Sequence, residues 1–159
     1  MKVLKTGALC VLLNVLALTV LAQNNSNSHK PPITEPDYNK PKLFADLPQR
    51  FKFDVKAFED LLELPEGTRV NAPLTGNLRY NGIIVSKSDT RDVNVKSVVI
   101  KSNNRQGASL TFSRVKNTDG TFSYLCRILS FKHSDAFELT LEKGEYVLTK
   151  KHLYDLYNE

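Results

Sequence analysis

The sequence is poor in the residues that build metal centres and disulfide frameworks. Among 159 residues there are two cysteines, three histidines and no tryptophan. The histidines are isolated, and no C-x-x-C or H-x-x-x-H spacing brings metal ligands together. The seven glycines are scattered, and none opens a helix after a strand as a phosphate-binding loop requires. We therefore expect neither a metal site nor a cofactor.

The overall composition is that of an ordinary globular protein. Hydrophobic residues make up 41% of the chain and charged residues 25%. These values exclude collagenous, coiled-coil and wholly disordered classes.

The first 22 residues have the three parts of a secretory signal peptide. Lys2 and Lys5 precede an apolar stretch from Ala8 to Leu21, and a small residue, Ala22, stands at the processing position. The apolar run is too short for a membrane span and ends in uncharged polar residues. We expect residues 1–22 to be a cleaved signal peptide, with a secreted or periplasmic product that has no transmembrane helix after processing.

Residues 23–42 predict a disordered tether, because they contain four of the seven prolines and few large apolar side chains. Residues 43–159 then form a single β-rich globular domain. Loss of the signal peptide removes Lys2, Lys5 and one cysteine, so the net charge falls from +5 to +3. Cys126 remains as the sole cysteine, which excludes an intramolecular disulfide.

One helix is predicted from Phe53 to Leu64. Its apolar residues recur at three- and four-residue spacing, Asp54 is placed to cap the first turn, and Pro65 is placed to end it.

After Gly67 the hydrophobic period changes to two, which is typical of strands. The predicted strands are Thr68 to Leu74, Leu78 to Ser86, Val93 to Lys101, Ala108 to Lys116, Thr121 to Leu129, Ala136 to Glu142 and Glu145 to Lys151. Glycine-containing turns at Asn117–Gly120 and Glu142–Glu145 favour two tight hairpins for the last four strands. The fold class is mainly β, with α+β as second choice: an antiparallel meander of about six or seven strands forming a small barrel or sandwich, with one N-terminal helix packed on it.

Alternation along the last four strands predicts the buried face. Its members are Ala108, Leu110, Phe112, Phe122, Tyr124, Cys126, Ile128, Phe137, Leu139, Leu141, Tyr146 and Leu148. The segments Ile83–Val85 and Val98–Ile100 are apolar on both faces instead. They indicate either covered central strands or a register change at Gly82 and Ser97.

Two groups of residues invite a catalytic interpretation. His133, Ser134 and Asp135 have the residue types of a hydrolase triad, but adjacent residues in a turn point apart, so we expect a polar turn. Cys126 could be a nucleophile beside His133 or His152, but it lies among apolar neighbours, so we expect core packing. No catalytic residue is assigned.

The charge distribution gives the one positive signal. From Gly76 to Lys116 there are eight basic and two acidic residues, whereas Leu43 to Glu66 carries three basic and six acidic residues. The candidate ligand-binding residues are Arg79, Lys96, Lys101, Arg105 and Arg114. We expect the connection from Lys101 to Gly107 to be flexible and exposed, and to be the main contact segment. The competing interpretation is that these cations only keep the sheet soluble.

These observations favour a small exported, non-enzymatic binding or interaction module for an anionic ligand or surface, such as an anionic glycan. An exported inhibitor or accessory subunit of a partner protein is the alternative, and an enzyme of unrecognised type ranks third.

Overall fold

The computed structural model describes residues 41–76, 78–88 and 93–157, so the predicted signal peptide and residues 23–40 of the predicted tether lie outside the described part. The strands are β1 (Arg50–Lys52), β2 (Arg69–Thr75), β3 (Leu78–Lys87), β4 (Val95–Ser102), β5 (Ser109–Lys116), β6 (Phe122–Ser130), β7 (Asp135–Glu142) and β8 (Glu145–His152). One short helix, α1 (Lys56–Glu59), continues into a 3-10 turn, Asp60–Leu62. Two further 3-10 segments are Phe131–His133 and Leu153–Tyr157.

All eight strands form one antiparallel sheet in the order β1-β8-β7-β6-β5-β4-β3-β2. The mainly β, antiparallel prediction is therefore confirmed. The sheet curls into a half-barrel rather than a closed barrel or a sandwich, because β1 and β2 stay at opposite edges. β1 raises the strand count to eight. Its three residues, paired with β8 through Arg50↔Thr149, were too few to show a period in the sequence.

The predicted helix is shorter than its apolar pattern indicates. Phe53 is not helical, because its backbone N–H donates to the Tyr146 carbonyl and so extends the contact of β1 with β8. Val55, rather than the predicted Asp54, is the N-cap of α1, but the Asp54 carboxylate accepts the backbone N–H of Lys56, the first helical residue, at 3.0 Å. The apolar side chains still face the core, where Phe58 and Leu62 are buried.

The two predicted hairpins are present. β5 pairs with β6, and β7 pairs with β8, each through a short turn. Gly120 and Gly144 have φ angles of +85° and +84°, which a residue with a side chain rarely adopts.

The inner face of the half-barrel holds a continuous core with aromatic side chains along it. Phe58 lies 5.6 Å from Phe112 between ring centroids, and Phe112 stacks on Tyr124 at 5.9 Å. Cys126 is buried in this core as predicted. Two predicted core residues are wrong: Phe122 is 43% exposed and Leu141 is 62% exposed, and both stand at the ends of their strands.

A register change was one of the two causes predicted for the doubly apolar segments, and the first segment contains one at a different position. The register shifts between Ile84 and Ser86 on β3, so Val85 forms a bulge, and the predicted shift at Gly82 and Ser97 is wrong. Gly82 instead permits a close approach of strands, since a Cβ there would lie 2.5 Å from the Lys101 carbonyl oxygen.

Residues Pro41–Leu47, called the strap here, lie against the turn between β6 and β7. The Phe44 backbone N–H donates to Asp135 at 2.8 Å, and the Pro41 carbonyl is 2.9 Å from His133 Nδ1. Asp135 is only 2% exposed, so the predicted polar turn at 133–135 is a turn whose carboxylate points inward. Its role is to satisfy a buried backbone donor of the strap.

Within the described ranges, no helix is long and apolar enough to cross a membrane.

Candidate anion-binding face

Arg105 is the most constrained of the five predicted ligand-binding residues. Its guanidinium makes two bonds to the Asp46 carboxylate, at 2.7 and 2.9 Å, and a third to the Leu43 carbonyl at 2.7 Å. It also lies over the Phe44 ring at 5.8 Å. The hydrogen bond from Arg105 holds the pKa of Asp46 below its ordinary value. Arg105 therefore clamps the strap.

The connection that carries Arg105 is tied down, contrary to the flexible loop expected there. Ser102 Oγ bonds to Asn104 at 2.9 Å and accepts the Arg105 backbone N–H at 3.1 Å. The Asn103 backbone N–H donates to the Asn81 carbonyl at 2.8 Å. These bonds fix the loop against β3.

Arg114 is neutralised by the helix. Its Nη1 lies 3.3 Å from Glu59 Oε1, and its guanidinium covers the Phe122 ring at 4.6 Å. The same Glu59 oxygen accepts the Tyr124 hydroxyl at 2.6 Å. Burial, together with this bond and the Glu59 charge, raises the pKa of Tyr124 to about 12.

Lys96 is the direct cross-strand partner of Arg114 and faces the same inner side of the sheet. Its ammonium pairs with Glu63 at 2.5 Å, and this hydrogen bond lowers the pKa of Glu63. Three of the five predicted cations are thus paired with carboxylates of the acidic segment Leu43–Glu66.

Arg79 and Lys101 lie on the outer face of the sheet and have no carboxylate partner among the described residues. Within the described ranges, the Arg79 side chain bonds only to Asn71, through the Asn71 side-chain oxygen at 2.6 Å and its backbone carbonyl at 2.5 Å. The exposed Lys101 side chain makes no hydrogen bond or ion pair there. Both cations keep an uncompensated charge.

A third cation, Arg69 on β2, joins them. Arg69 pairs with Ile83, and Ile83 pairs with Lys101, so all three side chains lie in one row across β2, β3 and β4. Arg69 is exposed and has no partner within the described part of the chain. The residues Arg69, Arg79 and Lys101 are called the outer basic face.

The sequence of the three strands explains why this charge is uncompensated. β2, β3 and β4 contain no acidic residue. With strands about 4.8 Å apart, the backbones at Arg69 and Lys101 are about 10 Å apart, and Arg79 stands about 13 Å along β3 from Ile83. The outer basic face therefore spreads its three cations over three strands, with the Arg79 guanidinium held against Asn71 of β2.

Sequence reasoning placed five cations in one group, but the structure divides them. It keeps Arg79 and Lys101 together and moves Lys96, Arg105 and Arg114 into ion pairs. Arg69 was missed because it precedes the segment in which charges were counted. Two signals in the sequence could have placed Arg69 on this face: the alternation of apolar and polar residues along β2, and the expected pairing of β2 with the next strand.

Two concave regions of the described part lie away from the outer basic face, and each has an ion pair in its lining. A groove of about 580 Å³ lies where the sheet fails to close, and its Lys52 and Glu145 pair with each other. A cavity of about 430 Å³ lies where β6 and β7 diverge, because their pairing stops at Arg127↔Glu138. Leu125, which lines it, is 59% exposed.

Among the described residues, no group of three or more potential ligands could hold a metal ion. Burial also raises the pKa of the Cys126 thiol well above its ordinary value, which opposes a nucleophilic role.

No protein-family model, no curated protein and no solved structure matches this chain.

Proposed function

We propose that the chain is a small exported, non-enzymatic binding module that holds an anionic ligand on the outer basic face. The observation that carries the proposal is the charge state of this face. Arg69, Arg79 and Lys101 point to one side of β2, β3 and β4 without a carboxylate partner.

Uncompensated charge attracts a ligand, whereas charge that is already paired does not. An arginine that holds a carboxylate in two hydrogen bonds, as Arg105 holds Asp46, must lose those bonds before it can hold another anion. An exposed lysine or arginine without a partner gives up only water and counterions. The outer basic face therefore supports anion binding better than the larger predicted group does.

The test is retention on a heparin column of the Arg69→Gln/Lys101→Gln double variant. We expect it to elute at lower salt than the unmodified protein, and the slope of log affinity against log salt to fall by about 2, since two cation contacts are lost. The melting temperature should not change, because both side chains are exposed.

The matched control is Lys116→Gln/Lys143→Gln, which removes the same charge from two exposed positions outside the face. We expect its elution to stay close to that of the unmodified protein. An equal shift in both double variants would mean that retention follows net charge and that no site exists.

A second candidate is an exported inhibitor or accessory subunit of a partner protein. The diverging strands β6 and β7 favour this candidate. The exposed apolar Leu125 lies on the part of β6 that does not pair with β7, so the backbone there is open to another chain on the β7 side. Partner binding at that position would be lost in Leu125→Asp and kept in the Arg69→Gln/Lys101→Gln variant.

A further inference from the structure

A row of side-chain amides runs beside the cation row on the outer face. Asn71 on β2 pairs directly with Asn81 on β3. Asn103, in the loop after β4, is held next to Asn81 by its backbone N–H bond of 2.8 Å to the Asn81 carbonyl. The three amides therefore cross three consecutive strands in the same direction as Arg69, Ile83 and Lys101.

Most of the hydrogen-bonding capacity of this row is unused. The side chains of Asn81 and Asn103 have no partner within the described ranges. Asn71 accepts the Arg79 Nε–H through its oxygen, which leaves its amide nitrogen available. In contrast, Asn104 is occupied at both ends, by Ser102 at 2.9 Å and by the Arg79 carbonyl at 3.4 Å. Asn104 is structural, and the other three amides are open to a ligand.

The spacing of the two rows restricts the ligand. Residues two apart on a strand are separated by about 7 Å, so the amide row lies about 7 Å from the row that holds Arg69 and Lys101. Those two cations have backbones about 10 Å apart, so each can contact a separate negative group of one extended ligand. A matching ligand is extended, with negative groups for Arg69 and Lys101 and neutral polar groups for the amides. Arg79, which is bonded to Asn71, adds a cation at the β2 end of the amide row.

We propose that this ligand is an acidic polysaccharide that lies across β2, β3 and β4. Its carboxylate or sulfate groups bind Arg69 and Lys101, and its hydroxyls bind the amides of Asn71, Asn81 and Asn103. An amide both donates and accepts, as a hydroxyl requires of its partner. This inference rests on the proposed function and adds the class of ligand.

The same face is poorly suited to single-stranded nucleic acid. The outward positions of β2, β3 and β4 hold no aromatic residue, since Tyr80 points inward and is buried. Stacking of bases on aromatic side chains is a main source of affinity for single strands. The outer basic face offers charge and amides but no stacking surface.

The experiment compares three probes on the purified full-length secreted protein: a heparin octasaccharide, a polygalacturonate oligosaccharide and a single-stranded oligothymidine of matched charge. Dissociation constants are measured over a salt series for the unmodified protein and for Asn81→Ala/Asn103→Ala. We expect the double variant to weaken binding of the two saccharides about tenfold, as expected for two lost hydrogen bonds. The salt slope should not change, because no charge is removed.

Asn103→Ala alone provides a second measurement, because Asn103 is exposed on a loop and its loss leaves β3 intact. We expect it to weaken saccharide binding about threefold. Gln106→Ala is the control, since it removes an exposed amide of the same loop outside the row.

The outcomes separate the two proposals. If the amide variants leave saccharide binding unchanged while Arg69→Gln/Lys101→Gln weakens it, the acidic polysaccharide inference is overturned and the anion-binding proposal stands. Tighter binding of oligothymidine than of either saccharide also overturns the inference. If none of the probes binds the unmodified protein, both proposals fall.

Discussion

The basic side chains of this protein fall into two groups with opposite fates. Arg105, Arg114 and Lys96 are held by Asp46, Glu59 and Glu63, which all come from the acidic segment before β2. Arg69 and Lys101 have no such partner within the described residues. The acidic segment packs on the inner face and at one end of the sheet, so it cannot reach the outer face.

This difference shows that a count of charges along the chain does not measure the field at a surface. The basic middle strands and the acidic segment before them were both visible in the sequence as separate regions. Folding brings the second onto the first, and three ion pairs cancel half of the counted excess of six positive charges. The charge of the outer basic face remains, because the neighbouring side chains on that face of β2, β3 and β4 are neutral.

The largest effect is expected from Arg105→Ala. It removes the bonds to the Leu43 carbonyl and to Asp46, and it exposes part of the buried Phe44 ring, so we expect the free energy of unfolding to fall by about 2 kcal/mol. Denaturant titration measures the change. Arg79→Ala is the control, and it should cost less than about 0.5 kcal/mol because Arg79 is exposed. Equal losses in the two variants would contradict the division into groups.

The next effect is on binding and comes from Ile83→Glu. Ile83 is the direct neighbour of both Arg69 and Lys101, so a carboxylate there would neutralise the outer basic face as Glu59 neutralises Arg114. We expect the affinity for a heparin octasaccharide to fall at least about tenfold. Ile83→Gln, which adds no charge, should retain most of the affinity. A loss of the same size in Ile83→Gln would attribute the effect to packing rather than charge.

A smaller effect is expected from Tyr124→Phe in the paired group. The hydroxyl bond to Glu59 should contribute about 1 kcal/mol at neutral pH. Because the folded state raises the pKa of Tyr124 from 10.0 to about 12, this contribution is fully present below pH 10 and is lost as pH rises through about 12. The stability difference between the two proteins should therefore shrink between pH 10 and pH 12. Tyr80 is present in both proteins, so its ionisation does not affect the stability difference between them. A stability difference that stays constant from pH 10 to pH 12 would exclude the Glu59 bond as the source of that difference.

The smallest effect is expected from Lys96→Gln. The Lys96–Glu63 pair is exposed, so its loss should cost only about 0.3 kcal/mol at pH 7. The pKa of Glu63 is lowered in the folded state, so the pair stabilises above the unfolded value of 4.5 and its contribution is lost as pH falls below it. The stability difference between the two proteins should then shrink as the pH falls below 4.5. A loss above 1 kcal/mol would place Lys96 in a structural role comparable to that of Arg105.

Much of the sheet could be predicted from local patterns. Alternation located β2 to β8, and the glycine turns gave both hairpins, because strand period and positive φ are properties of a few neighbouring residues. β1 could not be found in this way, since it consists of three residues and exists only through its pairing with β8. The bulge at Val85 is equally nonlocal, because it is defined by the register with Val99.

The candidate site shows the same limit. The sequence placed Arg79 and Lys101 among the candidates, and strand alternation could also have placed Arg69 on their face. The pairing of Arg105 with Asp46 joins residues 59 positions apart, and no local pattern predicts it. The amides of the Lys101–Gly107 loop, Asn103 among them, were visible in the sequence as possible contacts, but the amide of Asn81 was not, because its place beside Asn103 depends on the pairing of β3 with β4.

The strap determines how the domain would respond to mechanical load. A pull on the chain at Pro41 acts first on bonds to the β6–β7 turn, at His133, Ser134 and Asp135, and to Arg105 of the β4–β5 loop, which share the force. β1, which follows the strap, lies at the edge of the sheet and has only three pairs with β8. Without the strap, the same pull would open those pairs one after another, so the strap protects the weakest strand from being peeled from its end.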